Sequence, residues 1–288
     1  MPAVLFAVLA GALFGVLTLA VRHGLTRGAD PEAGALVVTG VGFLTGAMLA
    51  LPALVSGITL SDLWPFVVVG AIVPGFSQIL FILAIRDAGP ARAAILIGTA
   101  PLISVLIALI VLDEPFRPPL LAGTALIVAG GIVLVRERVR PAHFRALGAV
   151  LALTCAALFA VRDNAVRLVA RDADVPPLAA SAASLLGASV VVLLYLLVAR
   201  RRGLSAKLRA AFPAFAVAGV TLGLAYACLV VAFDRGRVSI VAPLNATQSL
   251  WAVIFAAALI GGSEHIGRRT VLSGVLILAG GVMIGVLR

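Results

Sequence analysis

Ten apolar stretches of about 20 residues follow one another along this chain of 288 residues, separated by short polar gaps. A helix of that length spans the hydrocarbon core of a bilayer. The mean hydropathy of +1.20 and the charged fraction of 12% agree with this, because soluble domains carry about 25% charged residues. The sequence therefore predicts an all-α integral membrane protein with ten transmembrane helices. The predicted spans are 2–21, 33–55, 63–85, 92–112, 118–135, 146–166, 177–199, 211–233, 238–260 and 268–287.

The chain has a net charge of +10, and most of its Lys and Arg residues lie in alternate gaps, beginning with the gap after the first span. Cytoplasmic loops are enriched in these residues, so the bias predicts that both termini lie outside the cell. No aromatic side chains alternate with the basic clusters, and we expect no nucleic-acid partner. Cys155 and Cys228 fall inside apolar spans and are expected to be small core residues.

The two halves of the chain resemble each other. The segment Ala-Leu-Phe-Gly-Val at 12–16 recurs as Ala-Leu-Phe-Ala-Val at 157–161, and Thr99 aligns with Thr247. These matches divide the chain into five-helix repeats at residues 1–140 and 141–288. Because five is odd, the second repeat enters the membrane from the opposite side, which predicts inverted repeats with a substrate site between them and alternating access. A duplication that serves stability alone is the alternative.

Short motifs recur near the end of each repeat. In the first they are Ala-Gly-Pro at 88–90, Thr-Ala-Pro-Leu at 99–102, Leu-Asp-Glu at 112–114 and Ala-Gly-Gly at 129–131. In the second they are Asp-Arg-Gly at 234–236, Val-Ala-Pro-Leu at 241–244, Glu264 and Ala-Gly-Gly at 279–281. With these motifs the chain resembles the drug/metabolite transporter superfamily, specifically its ten-helix EamA-type members. The resemblance implies export, import or exchange of small metabolites such as amino acids, with proton coupling in some members.

Glycines and prolines within the spans predict close packing and bends. Three pairs of glycines with four-residue spacing allow helix backbones to approach: Gly11 and Gly15, Gly42 and Gly46, and Gly281 and Gly285. We expect these faces to pack inside a monomer, with a dimer interface as the alternative. Pro101 and Pro243 lie in the fourth helix of each repeat and each removes a backbone donor. They are predicted to bend these helices during gating, with a static kink as the alternative.

Arg162, Asp163 and Asn164 lie late in span 6, where the first repeat has Leu-Thr-Leu at 17–19. A charge at the bilayer centre costs about 3 kcal/mol on insertion scales, so it usually pairs or faces water. Asp163 is predicted to pair with Arg167, four residues later on the same helix face. Arg162 is a candidate anchor for a substrate carboxylate, and Asp163 is a candidate proton acceptor. The alternative is that span 6 ends here and Arg162 reaches the membrane interface.

A second polar set lies in span 9 and comprises Asn245, Thr247, Gln248, Ser249 and Trp251. In a continuous helix Asn245, Gln248 and Ser249 share one face. This face is predicted to line the central cavity, with Trp251 as a flat apolar wall. Hydrogen bonding between helices is the alternative.

The third helix of each repeat supplies further candidates for the cavity wall, namely Ser77, Gln78 and Tyr226. Glu114 and Glu264 follow the fourth helices at equivalent positions. We expect these two carboxylates to be helix-end or loop charges rather than carriers of translocated protons.

The sequence favours a secondary transporter of small polar metabolites. A primary pump is disfavoured because no phosphate-binding Gly-Lys-Ser/Thr loop occurs. No enzyme, cofactor or metal is expected, since all three histidines lie in gaps and no hydrolase motif occurs. The alternative is a channel-like or lipid-translocating protein. The expected partners are a small-molecule substrate, the lipid bilayer and, in a coupled mechanism, protons; the expected location is the inner or plasma membrane.

Overall fold

The structure is a computed structural model that describes residues 2–54, 60–78, 80, 84, 96–135, 146–172, 175–199, 203–248, 250–252, 254–255 and 268–286. These residues are almost entirely helical and include no β-strand. The helices are α1 (Pro2–Thr26), α2 (Pro31–Leu54), α3 (Leu60–Gly70), α4 (Ala100–Val111), α5 (Pro118–Val135), α6 (Ala146–Asp172), α7 (Pro177–Ala199), α8 (Leu204–Arg235), α9 (Val238–Asn245) and α10 (Arg268–Val286).

Within the described residues, five helices are long and apolar enough to cross a membrane. They are Pro2–Thr26, Pro31–Pro52, Leu147–Ala170, Pro177–Ala199 and Leu204–Arg235. Shorter apolar helices lie at Ser61–Phe76, Ala100–Val111, Pro118–Val133 and Leu272–Ile284. Large apolar side chains such as Met48, Ile110 and Val198 are exposed on the outer surface, as contact with lipid requires. The protein is an all-helical, multi-pass membrane protein, and the division into ten spans and inverted repeats stays a prediction.

Two helices extend beyond their predicted spans. α6 continues to Asp172 and α8 begins at Leu204, whereas the spans were predicted at 146–166 and 211–233. The added turns carry charged side chains, which lower hydropathy without interrupting the helix. The alternative in which span 6 ends next to Arg162 is therefore wrong for the helix itself.

Pro74 interrupts the third predicted span. α3 ends at Gly70, and a wider π-helical turn occupies Ala71–Phe76. Val73 has extended backbone angles (φ −141°, ψ 118°), since a proline ring disfavours the helical conformation in the residue before it. The Val73 carbonyl consequently accepts a hydrogen bond from the Tyr226 hydroxyl of α8, at 3.2 Å.

Helices from the two halves of the chain alternate in the packing. α1 packs against α8 and α9, α2 against α7 and α8, and α5 against α10. α3 packs against α7 and α6, and α4 packs against α6 and α9. The core therefore lies between the halves, and residues from both halves meet along it.

α5 and α10 run antiparallel. Gly123, near the start of α5, lies against Ile284 near the end of α10. Later in α5 the carbonyl of Gly130 accepts a hydrogen bond from the Ser273 hydroxyl at 2.7 Å. Gly130 and Gly123 lack side chains, so the two backbones approach closely at both levels.

α2 and α7 also run antiparallel. Ala35, near the start of α2, clusters with Val192 and Leu196 in the second half of α7. Gly46, later in α2, faces Ala182 near the start of α7. Helices that occupy the second position of each half therefore point in opposite directions.

The glycine pairs in α1 and α2 face the protein interior. Gly11 lies against the Asn245 carbonyl and the Thr247 hydroxyl, and Gly15 lies against Ala252. Gly42 contacts α8, and Gly46 contacts α7. Internal packing therefore accounts for these glycines without a dimer interface.

The segment between α1 and α2 is fastened to α8 by Asp30. Its Oδ1 accepts the backbone N–H groups of Glu32 and Ala33 at 3.1 and 3.0 Å and caps α2. Its Oδ2 lies 2.8 Å from Nζ of Lys207. Burial acts to raise the pKa of Asp30, but the bonds from Lys207 and the two amides outweigh it and hold the pKa below its ordinary value of 3.8.

Replacing Gly15 with alanine is expected to lower the unfolding temperature in detergent. The new Cβ would lie 2.8 Å from the backbone nitrogen of Ala252, so one of the two helical segments must shift. Gly40→Ala is the matched control, because nothing lies within 4 Å of its new Cβ and alanine favours a helix by about 1 kcal/mol. Equal unfolding temperatures for the two variants would contradict this packing.

Asp30→Asn is expected to keep the cap on α2 but lose the ion pair with Lys207. Both groups are partly exposed, so the free energy of unfolding at pH 7 should fall by only about 0.5 kcal/mol. Because the folded pKa is lowered, this contribution is present above the unfolded pKa of 3.8 and is lost as the pH falls through the folded value. Denaturant titrations of parent and variant should therefore converge at acidic pH; a constant difference would argue against the ion pair.

Candidate functional site

Both predicted fourth helices are interrupted by a turn at the same repeat position. Residues 96–97 are helical, residues 98–99 form a turn, and α4 begins at Ala100. α9 ends at Asn245, residues 246–247 form a turn, and residues 248, 250–252 and 254–255 are helical. The repeat alignment pairs Thr99 with Thr247, so the two turns coincide.

The two turns also share their hydrogen bonds. The hydroxyl of Thr99 donates to the Leu96 carbonyl at 2.6 Å, and that of Thr247 donates to the Leu244 carbonyl at 2.7 Å. The backbone N–H of each threonine donates to the same carbonyl at 3.2 Å. Bonds to the third preceding residue tighten the chain and interrupt the regular helix. Two distant segments thus adopt the same local structure.

The prolines predicted to bend these helices lie close to the turns but not at equivalent positions. Pro101 lies in the first turn of α4, two residues after Thr99. Pro243 lies inside α9, four residues before Thr247. Both are buried. A role of Pro101 and Pro243 in gating stays a prediction.

An ion pair lies inside the protein on α6. Nε of Arg162 donates to Oδ1 of Asp163 at 2.8 Å, and Nη2 lies 2.7 Å from the same oxygen. The hydroxyl of Ser104 on α4 donates to Oδ2 of Asp163 at 2.9 Å. The side chains of Arg162 and Asp163 are only 11% and 9% exposed. A buried carboxylate is thus held by donors from both halves of the chain.

Asn164 extends this contact between α6 and α4. Its Nδ2 donates to the carbonyls of Ser104 and Ala160, at 3.1 and 2.8 Å. Its Oδ1 is buried and has no hydrogen-bond partner among the described residues. An unpaired buried acceptor costs about 1–3 kcal/mol, so a donor placed beside this oxygen would be favourable.

Two aromatic rings lie against the guanidinium of Arg162. Its Cζ lies 5.7 Å from the ring centre of Phe159 on α6 and 5.9 Å from that of Tyr226 on α8. Such cation–π contacts favour the charged form of the side chain. We call Arg162, Asp163, Asn164, Ser104 and Tyr226 the α6 polar cluster.

The other predicted wall residues are distributed around this level. Ser77 is buried, and its carbonyl accepts the thiol of Cys155 on α6 at 3.5 Å. Gln78 is half-buried, and Trp251 is half-buried and stacks on Phe255 with ring centres 5.8 Å apart. Their contact with a substrate stays a prediction.

The polar face predicted for span 9 is not continuous. The turn at 246–247 separates Asn245 from Gln248, so helical spacing does not carry across it. Asn245 is half-buried and its Oδ1 has no hydrogen-bond partner, whereas Gln248 is exposed. Ser249 lies outside the described residues. For Asn245 and Gln248 the prediction of one shared helix face is wrong, because it assumed an uninterrupted helix.

The predicted pairing of Asp163 with Arg167 is also wrong. Asp163 pairs with its neighbour Arg162, and Nη1 of Arg167 donates to the carbonyls of Phe233 and Asp234 at 2.9 and 2.7 Å. These carbonyls end α8, where the helix dipole attracts a cation. Helical spacing allowed the pairing, but the packing of α8 against α6 offered Arg167 a different partner.

Glu114 binds the beginning of α9, in the other half of the chain. Its carboxylate accepts the backbone N–H of Val238 at 2.7 Å and that of Ser239 at 3.0 Å, together with the Ser239 hydroxyl. It thereby caps α9, which agrees with the prediction of a helix-end charge. Glu264 lies outside the described residues.

Arg167 and Glu114 therefore fasten the turn between α8 and α9 from both sides. Arg235, the last residue of α8, stacks over Phe6 of α1, with its Cζ 5.5 Å from the ring centre. Gly236 packs against Ala3 at the start of α1. We call this arrangement the α8–α9 clasp. It lies at the end of the helix bundle where α1 begins.

Sequence reasoning missed Ser104, which contributes to the polar cluster from the opposite half of the chain. Its only signal was a small hydroxyl side chain within an otherwise apolar helix. Serines at such positions commonly bond to their own helix, as Ser189 does to Leu185. Only the packing of α4 on α6 gives Ser104 a charged partner.

These features define an all-helical membrane protein in which polar groups of two chain halves meet between apolar helices. The sequence model of the EamA-like transporter family matches residues 1–136 and 146–286, and the chain belongs to this family. Family members are transporters rather than enzymes. Among curated proteins, none matches the chain.

One solved crystal structure, described only as "protein", is similar to this chain. The similarity covers 99% of this chain and 96% of the other, with a TM-score of 0.82 and 22% identity. At this identity the similarity shows the fold alone. It extends over both halves of the chain.

Replacing Ser104 with alanine is expected to lower the free energy of unfolding by about 1.5–3 kcal/mol, the usual range for a hydrogen bond to a charged group. The variant leaves Oδ2 of Asp163 without its hydroxyl donor. Ser189→Ala is the matched control, since that hydroxyl bonds only to its own helix at Leu185. Equal denaturant midpoints for the two variants would show that Ser104 does not stabilise the buried carboxylate.

Proposed function

We propose that this protein is a secondary transporter of small polar metabolites such as amino acids, working as an exporter or exchanger in the cell membrane. The observation that carries the proposal is the matching interruption of the fourth helices at Thr99 and Thr247. Broken helices at equivalent positions of two repeats are typical of transporters with a site near the membrane midplane. A packed helix bundle has no need of two such turns.

The helix packing supports two inverted repeats. In an inverted repeat, each helix of the first half corresponds to the helix five positions later, and a contact between two helices should have an equivalent between their counterparts. The contact of α1 with α9 corresponds to that of α6 with α4, the contact of α3 with α7 to that of α8 with α2, and the contact of α1 with α8 to that of α6 with α3. All of these pairs are in contact. The counterparts α2 and α7 run antiparallel, as do α5 and α10. An inverted repeat requires this relation, and it allows the halves to exchange conformations.

The α8–α9 clasp is the closed gate in this proposal. Glu114, which follows α4 of the first half, bonds to the start of α9 in the second half, and Arg167 of α6 bonds to the end of α8. The distribution of basic residues assigns this end to the outside of the cell. For alternating access, these contacts separate when the transporter opens outward.

The α6 polar cluster is the proposed substrate site, with Arg162 as the anchor for a negatively charged or zwitterionic group. Asn245, Gln78 and Trp251 are the proposed outer contacts. A channel-like or lipid-translocating pathway is the competing function. A transporter and a channel differ in their kinetics. In a transporter the site is open to one side of the membrane at a time, so flux saturates and substrate on one side exchanges for substrate on the other.

The first experiment is a thermal-unfolding screen of amino acids, organic acids and nucleosides, followed by counterflow of the stabilising compounds in liposomes. A ligand at 100 times its Kd raises stability by about 2.7 kcal/mol. We expect saturable uptake of labelled substrate that depends on unlabelled substrate inside. Flux that does not saturate and needs no internal substrate would contradict a transporter and favour a channel.

A cross-link across the clasp tests alternating access directly. We expect Glu114→Cys with Ser239→Cys, in a Cys155→Ala and Cys228→Ala background, to support counterflow until a short bis-maleimide joins the two positions. Glu114→Cys alone, treated in the same way, is the control and should continue to transport. Full counterflow in the cross-linked double variant would rule out the clasp as a gate.

A further inference from the structure

Asp163 accepts hydrogen bonds from only some of the N–H donors of the Arg162 guanidinium. Nε and Nη2 both contact one oxygen, Oδ1 of Asp163, at 2.8 and 2.7 Å. The other oxygen, Oδ2, is held by Ser104 on α4. A guanidinium has five N–H donors, so three of them are not taken by Asp163, and the Tyr226 hydroxyl is one further partner of Arg162. Arg162 therefore has donors with which it can bind a second carboxylate.

The charges of the pair set a condition on such a ligand. Arg162 and Asp163 together are neutral, and both side chains are about nine-tenths buried. A ligand carboxylate that carries no cationic group of its own contributes a negative charge that nothing in the cluster balances. Uncompensated charge is strongly disfavoured at membrane depth. Uptake of one proton by Asp163 removes the excess charge and leaves Arg162 paired with the ligand.

The cluster contains acceptors for the added proton. The Ser104 hydroxyl donates to Asp163 in this structure, and a hydroxyl can rotate to accept instead. Asn164, the next residue, has a buried Oδ1 with no hydrogen-bond partner. Its Nδ2 is bonded to the Ser104 carbonyl at 3.1 Å, so Asn164 and Asp163 contact the same residue. A protonated Asp163 thus has neutral partners beside it.

Few other ionisable groups surround Asp163. α4 and α9 contain none in Ala100–Val111 and Val238–Asn245. α3 contains only Asp62, in its first turn, and the π-helical turn contains none. α8 brings Tyr226 to this level and Cys228 half a turn further on. On α6 itself the neighbours are Arg162, the clasp residue Arg167 and the thiol of Cys155.

On the basis of the transport function proposed above, we propose that the substrate bears a carboxylate that binds Arg162, and that Asp163 takes up one proton from solution as the substrate binds. The proton goes to a carboxylate oxygen of Asp163 and returns to solution when the substrate leaves; no other bond changes. Asp163 and Ser104 belong to different halves of the chain. Protonation therefore weakens a contact between the halves at the moment when the site is filled.

The test compares carboxylates with their carboxamides. Thermal unfolding is measured at pH 5.5 and 7.5 with lactate and succinate, which carry no cationic group, and with lactamide as the neutral analogue. We expect a carboxylate, and not its carboxamide, to stabilise the parent, with an affinity up to tenfold higher for each unit of lower pH. Asp163→Asn imitates the protonated state and should bind the same compound without pH dependence. Arg162→Gln should not distinguish the carboxylate from the amide.

Asp113→Asn is the control, because Asp113 is an exposed carboxylate at the end of α4 with a positive φ of 49° that asparagine tolerates. It should keep the pH dependence of the parent. In liposomes with an internal pH dye, the parent should take up one proton per carboxylate and Asp163→Asn none.

Each other outcome is decisive. Unchanged pH dependence in Asp163→Asn would overturn the role of Asp163. Stabilisation by neutral compounds alone, or by no carboxylate, would overturn the carboxylate class and leave the transport function standing. A bound carboxylate that shows no counterflow would instead overturn the transport function.

Discussion

Lipid offers no hydrogen bonds, so every polar group within this helix bundle depends on a partner from the protein. The interrupted fourth helices meet this constraint locally, because Thr99 and Thr247 return their hydroxyls to the preceding turn. The bend at Val73 meets it at a distance, through the hydroxyl of Tyr226. Irregular backbone is therefore found where side chains satisfy it, and these positions surround the contact between the two halves.

The same constraint explains the charges of α6. Arg162 and Asp163 enter the membrane as a neutral pair, and Ser104 completes the carboxylate from the other half. Arg167 and Glu114 lie nearer the helix ends, where they match the dipoles of α8 and α9. The buried pair and the clasp thus join the halves at two different depths. A movement that opens one end of the bundle has to alter the clasp and can leave the pair intact.

Hydropathy predicted an all-helical membrane protein, because a segment that crosses lipid must be apolar along most of its length. It ended α6 too early and began α8 too late, since charged residues such as Arg167 and Lys207 continue a helix once a neighbour binds them. Helical periodicity assumes one regular helix. The prediction that Asn245 and Gln248 share a face therefore failed, because the turn at 246–247 lies between them. The sequence singled out Arg162, Asp163 and Asn164, and the structure places all three in one cluster. Asp163 pairs there with Arg162 instead of Arg167.

The sequence by itself determined the membrane environment, the helical class, the resemblance of the two halves and the position of the unusual charges. These properties depend on local composition and on order along the chain. The tertiary structure alone decided that Ser104 reaches Asp163, that Glu114 caps α9 and that Arg167 holds the end of α8. Each of these contacts joins residues about 60 or more positions apart. A side chain's partner across such a distance depends on how the helices pack, and no local pattern records that.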